Sequence, residues 1–198
     1  MRSVSELDIA RAPSMLATRN VFLVGPMGVG KTTIGRLLAR ELRLTFVDSD
    51  QEIEKRAGVE IAWIFDEEGE AGFREREARV LEDICQQSGL LIATGGGAVL
   101  LEENRRVLKR HGVVVFLDTT VDVQLKRTAK DKKRPLLQND DRRALLMKMR
   151  QERDPVYRGV ADLHVNVGDA SSRRTVNKII KLLEQKGVAV RDDQSDGR

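Results

Sequence analysis

The sequence predicts an α/β protein with a parallel sheet covered by helices on both faces, and three observations predict it. Five short apolar runs, at 20–24, 44–47, 90–94, 113–117 and 163–167, alternate with stretches of helical periodicity, the rhythm of strands joined by crossover helices. The runs Leu90-Leu91-Ile92-Ala93 and Val113-Val114-Val115-Phe116-Leu117 do not alternate apolar with polar, as expected of strands buried on both sides. The first run also leads directly into Gly25-Pro26-Met27-Gly28-Val29-Gly30-Lys31-Thr32, a G-x-x-x-x-G-K-T string between a strand and a helix, the setting in which such a string binds phosphate.

In that loop, glycines let the backbone curl so that successive N–H groups point at phosphate oxygens, and the dipole of the following helix adds to the field. The expected nucleotide-binding residues are Gly28, Val29, Gly30, Lys31, Thr32 and Thr33. Lys31 reaches the β- and γ-phosphates of a nucleoside triphosphate, and the Thr32 hydroxyl ligates Mg²⁺.

The second strand ends in Asp48-Ser49-Asp50. Ligands of parallel α/β sheets sit beyond the carboxyl ends of the strands, so these carboxylates face the crevice of the phosphate loop. If the extended conformation persists, alternation turns both to the same side. One serves Mg²⁺ through water, since that ion keeps much of its hydration, and the other accepts the hydroxyl of a phosphoryl acceptor. Asp50 has a second reading, as N-cap of the helical stretch 51–56 that Gly58 stops.

The next helix, 72–87, carries Phe73, Val80, Leu81, Ile84 and Cys85 on one stripe, which Glu77 shares, with Arg74 one turn before it. A charged pair turned toward an apolar interior needs a partner or a task. A carboxylate that steadies an arginine aims its planar fork at a ligand carboxylate; a purely structural ion pair is the alternative. Thr94-Gly95-Gly96-Gly97 closes the third strand, where glycines permit close backbone approach and offer N–H donors. Residues 91–94 lack the aspartate that phosphate-loop enzymes often carry there, so the metal role falls to Thr32 and Asp48.

After the fourth strand comes the cationic run Lys126-Arg127-Thr128-Ala129-Lys130-Asp131-Lys132-Lys133-Arg134-Pro135. Such a run is ordinarily solvated surface. Beside a triphosphate it reads better as a lid, 126–140, that closes over the γ-phosphate, excludes water and adds positive charge. Leu145, Leu146 and Met149 mark a helix that Pro155 ends, leaving Arg153 at its exit, either turned into the crevice or complementing the helix dipole. In the last helix Val176, Ile179, Ile180 and Leu183 repeat at helical spacing before Gly187. His111 and His164 have no partnering motif and read as surface or packing residues.

Composition sets the outer limits. A length of 198 residues gives one domain with no room for a separate substrate domain. The net charge of +4, from 35 basic against 31 acidic residues, suits an anionic ligand and argues only weakly for nucleic acid. With 4% aromatics there are few platforms for stacking bases. The single cysteine, Cys85, excludes an internal disulfide, fits a reducing cytoplasmic setting and reads as a buried, inert thiol. No apolar run approaches the ~18 residues of a membrane span, and residues 1–19 lack the apolar core of a signal peptide. Residues 1–19 and 188–198 are expected to be disordered, flanking a domain at 20–187.

Taken in order, Gly-Pro-Met-Gly-x-Gly-Lys-Thr, Asp-x-Asp, Gly-Phe-Arg-x-x-Glu, Thr-Gly-Gly-Gly, Lys-Arg-Pro-Leu-Leu and Arg-x-Pro-x-Tyr resemble the shikimate kinases, from about Asn20 to Lys186. The resemblance implies a phosphate-loop, nucleoside-monophosphate-kinase-like fold with sheet order 2-3-1-4-5 and a moving lid. It implies phosphorylation of the 3-hydroxyl of shikimate with ATP and Mg²⁺; the chain itself is expected to be a monomer with no nucleic-acid or membrane partner. Carried over by position, Asp50, Arg74, Gly95, Gly96, Gly97 and Arg153 hold shikimate: the two arginines its carboxylate, Asp50 its ring hydroxyls, Phe65 and Phe73 its apolar face. Lys31, Asp50 and Arg134 are the catalytic residues, with Arg134 approaching the transferring phosphate from the lid. A kinase for another polyol acid, such as gluconate, shares the loop and the fold but does not need paired arginines beside a glycine triplet. A nucleotide-binding regulatory module without turnover is the other alternative.

Overall fold

The computed structural model describes residues 19–129, 141–168 and 171–188. The expectations for residues 1–18, for 130–140 with Arg134, and for the tail from 189 onward lie outside these residues. The elements run β1 (Asn20–Val24), α1 (Lys31–Leu42), β2 (Thr45–Asp48), α2 (Ser49–Ala57), α3 (Ile61–Cys85), β3 (Leu90–Ala93), a 3-10 turn (Ala98–Leu100), α4 (Glu102–His111), β4 (Gly112–Asp118), α5 (Val121–Thr128), α6 (Arg142–Val160), β5 (Leu163–Asn166) and α7 (Ser172–Gln185). All four strand pairings are parallel, in the order β2-β3-β1-β4-β5.

Alternation within the buried strands divides the core in two. Val21, Leu23, Val113, Val115 and Leu117 face α1 and α7, packing against Ile34, Leu38, Ile179 and Leu183. Phe22, Val24, Val114 and Phe116 face the other way, toward Ile53, Leu81, Leu108, Tyr157 and Val160. A period of two inside a continuous apolar run thus produces three layers. The register sets Leu23 and Asp48 on either side of Ala93. The loops after β1, β2 and β3 therefore open side by side at one edge of the sheet.

Three element boundaries differ from expectation. Chain direction changes at Ser49, where α2 begins, so Asp48 and not Asp50 is the N-cap; its Oδ1 accepts from the Asp50 and Gln51 N–H groups at 3.2 and 3.4 Å. The alternation argument for placing Asp48 and Asp50 on one side fails because the strand ends between them. The helix expected at 72–87 starts at Ile61 and is interrupted at Gly69, which takes φ 70 and ψ −177.

The third difference concerns Pro155, which lies inside α6. A proline there removes one helical hydrogen bond and crowds the carbonyl a turn back, a cost of about 3 kcal/mol. Packing on its C-terminal side offsets this, since Tyr157 and Val160 are each 1% exposed and Tyr157 stacks on Phe116 at 4.9 Å. Arg153 therefore sits two turns before the end of α6, and the dipole-complementing reading of it is removed.

Cys85 is buried, and burial pushes its thiol up to about 12, in line with an inert side chain. His111 ends α4. His164 stacks on Phe116 at 4.9 Å, with Nε2 3.2 Å from Asp118 Oδ2.

Candidate active site

Two glycines carry the backbone requirement of the phosphate loop. Gly25 has φ 142, and a Cβ there would stand 2.3 Å from the Leu117 carbonyl oxygen; Gly30 has φ 100 and caps α1. Both conformations are costly for a residue with a side chain. Lys31 Nζ donates to the carbonyls of Gly25 at 2.7 Å and Pro26 at 3.0 Å, which holds the ammonium over its own loop. Val29 is buried, Gly28 is half-buried and Thr33 is exposed on the first turn of α1.

The outer side of this loop is clamped by α5. Gln124 Nε2 donates to Met27 O at 2.9 Å, Arg127 Nη1 to Val29 O at 2.9 Å, and Arg127 Nη2 to Gly168 O at 3.1 Å. Residues 126–128, expected in the lid, thus belong to a helix that buttresses the phosphate loop. Gln124 carried no signal in the sequence, and Arg127 was hidden inside the charge run.

Thr32 Oγ1 donates to Asp48 Oδ2 at 2.8 Å. A hydroxyl and a carboxylate oxygen side by side at the helix N-terminus are the hard donors Mg²⁺ takes when it keeps its waters and binds phosphate. The pair expected for the metal is brought together and fits that ion.

The other wall of the crevice is built on the glycine triplet. None of Gly95, Gly96 and Gly97 has positive φ, so the requirement is space. A Cβ at Gly95 would lie 2.6 Å from Asp50 Oδ1 and 2.7 Å from Glu77 Oε1; one at Gly97 would lie 2.2 Å from Arg74 Nη2. A Cβ at Gly96 would meet nothing closer than the Gly25 carbonyl and the Met27 nitrogen at 3.7 Å and the Tyr157 hydroxyl at 3.9 Å, and the Gly96 carbonyl accepts from Tyr157 Oη. One member of the expected donor set is already used, because the Gly95 N–H donates to the buried Ser49 hydroxyl at 3.0 Å.

Arg74 and Glu77 form the expected pair, with Nη1 to Oε2 at 2.6 Å. Nη2 reaches Glu70 at 3.1 Å, and the guanidinium lies 5.3 Å from the Phe73 ring centroid. Phe73 in turn stacks on Phe65 at 4.6 Å. Arg153 borders a pocket with Pro26, Met27 and Tyr157. Burial pushes the Tyr157 phenol up to about 12, and the nearby Arg153 charge works in the opposite direction. Tyr157 was legible only as the last letter of Arg-x-Pro-x-Tyr. Its hydroxyl ties α6 to the middle glycine.

Glu77 is fully buried, and no hydrogen-bond partner of its Oε1 lies among the described residues. Burial pushes its carboxyl above the ordinary range; Arg74 pulls it back, Asp50 adds to the rise, and Arg153 opposes it. For Arg74, burial disfavours the charge, and Glu77 and Glu70 outweigh that effect, so its pKa rises. A raised folded-state pKa makes the Glu77 contribution to stability fully present below its unfolded value and lost as pH climbs through the folded value. Glu77→Gln, neutral throughout, is expected to remove that segment of falling stability. Urea unfolding at several pH values between about 4.5 and 7 checks this; parallel profiles for the two proteins would show that Glu77 ionises without penalty.

Residues 27–184 match the family model for shikimate kinase. A shikimate kinase of Vibrio parahaemolyticus is 54% identical over 172 residues, 87% of this chain and 100% of the relative. One of Psychrobacter arcticus is 55% identical over 164 residues, 83% of this chain and 88% of the relative. The solved shikimate kinase of Acinetobacter baumannii in complex with shikimate has a TM-score of 0.84 at 45% identity, covering 88% of this chain and 98% of that one. The Aquifex aeolicus shikimate kinase has 0.72 at 35%, covering 84% and 97%.

The chain belongs to the shikimate kinase family.

Its reaction is the ATP-dependent phosphorylation of shikimate, with Mg²⁺ as the metal. The shikimate kinase fold brings Lys31, Thr32 and Asp48 together at one side of the crevice, and Asp50, Arg74, Glu77 and the triplet at the other. Arg153 reaches the phosphate-loop side from α6, beside Pro26 and Met27. No helix among the described residues is long and apolar enough to cross a membrane.

Proposed function

We propose that the chain, working as a cytoplasmic monomer, moves the γ-phosphoryl group of ATP to the 3-hydroxyl of shikimate, giving shikimate 3-phosphate and ADP. One observation carries the division of labour: the Asp50 and Glu77 carboxylates converge on Gly95 while the Arg74 guanidinium lies against Gly97, one strand away from the loop that runs from β1 to Lys31 at the start of α1. An anionic ring bearing several hydroxyls has donors for the carboxylates and a carboxylate for the arginines.

In this reading Gly28, Val29, Gly30, Thr32 and Thr33 cradle the phosphates, and Lys31 and Arg134 follow charge onto the transferring group. Thr32 and Asp48 hold Mg²⁺, which neutralises charge on the phosphate oxygens. Arg74 and Arg153 grip the shikimate carboxylate. Asp50 orients the accepting hydroxyl and takes its proton late, because the transition state is loose and proton removal is a small part of the barrier. Phe65 and Phe73 line the apolar face of the ring.

ADP release by the purified protein is expected to require shikimate, with quinate a poor substitute, because a site full of buried polar groups rejects analogues that leave them unpaired. A coupled ADP assay over shikimate, quinate and gluconate tests it; equal turnover with gluconate and shikimate overturns it. Gly97→Ala is expected to raise the shikimate KM about tenfold or more, since its Cβ displaces a charge-assisted contact. Steady-state kinetics check this, and an unchanged KM would remove Arg74 from the carboxylate clamp.

A further inference from the structure

A groove of about 470 Å³ lies between α4 and α6. Its α4 side carries Glu102, Arg105, Arg106 and Lys109, and its α6 side Pro155, Val156, Gly159 and Val160. That volume falls in the range of small-molecule sites, and the groove is distinct from the crevice that holds ATP and shikimate.

Three features give it a ligand chemistry. Arg106 is neutralised by Glu102. Arg105 and Lys109, one turn apart on the same face of α4, have no carboxylate in ion-pair contact among the described residues. Both donate to neutral carbonyls: Arg105 Nη1 to Val99 O at 2.7 Å and Leu100 O at 2.8 Å, and Lys109 Nζ to Gly159 O at 3.0 Å. Two uncompensated cations therefore flank a floor made of Pro155, Val156 and Val160. The opening is kept by Gly159, which sits inside a helix, has no positive φ and would meet nothing within 4 Å if it carried a Cβ. Neither backbone conformation nor crowding calls for glycine there, and glycine weakens a helix.

We propose that this groove is a second ligand site, for a small carboxylate attached to a flat apolar ring, and that its occupancy is felt at the shikimate site. The carboxylate lies between Arg105 and Lys109, and the ring rests on Pro155 and Val156. Both walls lead to the triplet. Arg105 holds the carbonyls of the 3-10 turn, whose Ala98 and Leu100 N–H groups donate to Gly95 and Gly97; on α6, Tyr157 donates to Gly96. A ligand that draws on Arg105 or shifts the Val156 turn therefore biases the glycines that line the shikimate pocket.

The test uses 2-naphthoate, a fluorescent ring carboxylate, titrated into the whole protein with saturating ADP and shikimate so that the crevice is blocked. One saturable site with a dissociation constant of about 1 mM or tighter is expected. Gly159→Leu fills the groove and favours the helix, so loss of at least about tenfold in affinity cannot be attributed to unfolding. Lys109→Gln is expected to weaken binding severalfold, with the wild-type affinity falling as salt is raised. Saturating 2-naphthoate is expected to shift the shikimate KM of the wild type but not of Gly159→Leu, whose KM without the probe stays normal. Absence of saturable binding in the presence of ADP and shikimate, or equal binding by Gly159→Leu, overturns the site; binding that leaves the KM untouched overturns the coupling.

Discussion

Asp50→Asn is expected to lower kcat by about 100- to 10,000-fold, the span that positioned acid–base groups contribute, while the ATP KM stays within about twofold. The amide keeps the shape of the carboxylate but neither accepts the proton nor holds the hydroxyl with full charge. The placement of the helix cap sharpens this test. An aspartate that caps a helix tolerates asparagine, since the two cap about equally well; here Asp48 is the cap and Asp50 lies in the first turn of α2. Stability should not suffer either. The Asp50 charge adds to the rise of the Glu77 pKa, so its removal eases a buried carboxylate, and the thermal midpoint of the variant is expected to equal or exceed that of the parent. A functional charge that works against its neighbours gives this pattern of lost activity without lost stability. Near-normal kcat would assign the orientation of the hydroxyl to Glu77, whose Oε1 faces the same glycine.

The parts of this molecule written in local rules were legible in its sequence. Unalternating strands, the glycine and lysine spacing of the phosphate loop, Gly58 and Gly187 as helix stops, and a charged pair on the buried stripe of α3 each follow from short-range sterics or periodicity. The sheet order came from the resemblance, because strand rhythm alone does not fix which strands neighbour one another. What could not be read depends on where the chain turns in space. Asp48 and Asp50 looked equivalent until the backbone turned between them. Pro155 looked like a terminus because local propensity disfavours it in a helix, whereas the packing of Tyr157 and Val160 carries α6 through it. Arg127 was indistinguishable from its cationic neighbours, since only the fold brings it to the carbonyl of Val29. Gln124, whose amide holds Met27 O across 97 positions, had no local signature.

Arg153→Ala is expected to raise the shikimate KM by roughly ten- to a hundredfold with little change in kcat, and Arg134→Ala to do the reverse. The contrast rests on when each contact matters. A carboxylate remote from the reacting bond is held about equally in the ground and transition states, so losing its partner removes uniform binding, which appears in KM. A charge-assisted contact of this kind is worth about 1.5–3 kcal/mol, which gives the stated range when substrate binding equilibrates before chemistry. Arg134, in the segment beyond α5, is assigned to charge that develops as the phosphoryl group leaves ADP. Removing one such contact typically costs about 100- to 1,000-fold in kcat. The fold strengthens the Arg153 half of this argument. Its position inside α6, beside the Tyr157 hydroxyl that ties that helix to Gly96, leaves no helix end for it to stabilise, and its charge reaches Glu77 and Tyr157. Steady-state kinetics of both variants, varying shikimate and ATP in turn, decide the matter. An unchanged shikimate KM in Arg153→Ala would leave Arg74 as the whole clamp; a raised KM with normal kcat in Arg134→Ala would move that arginine from the transferring phosphate to ground-state binding.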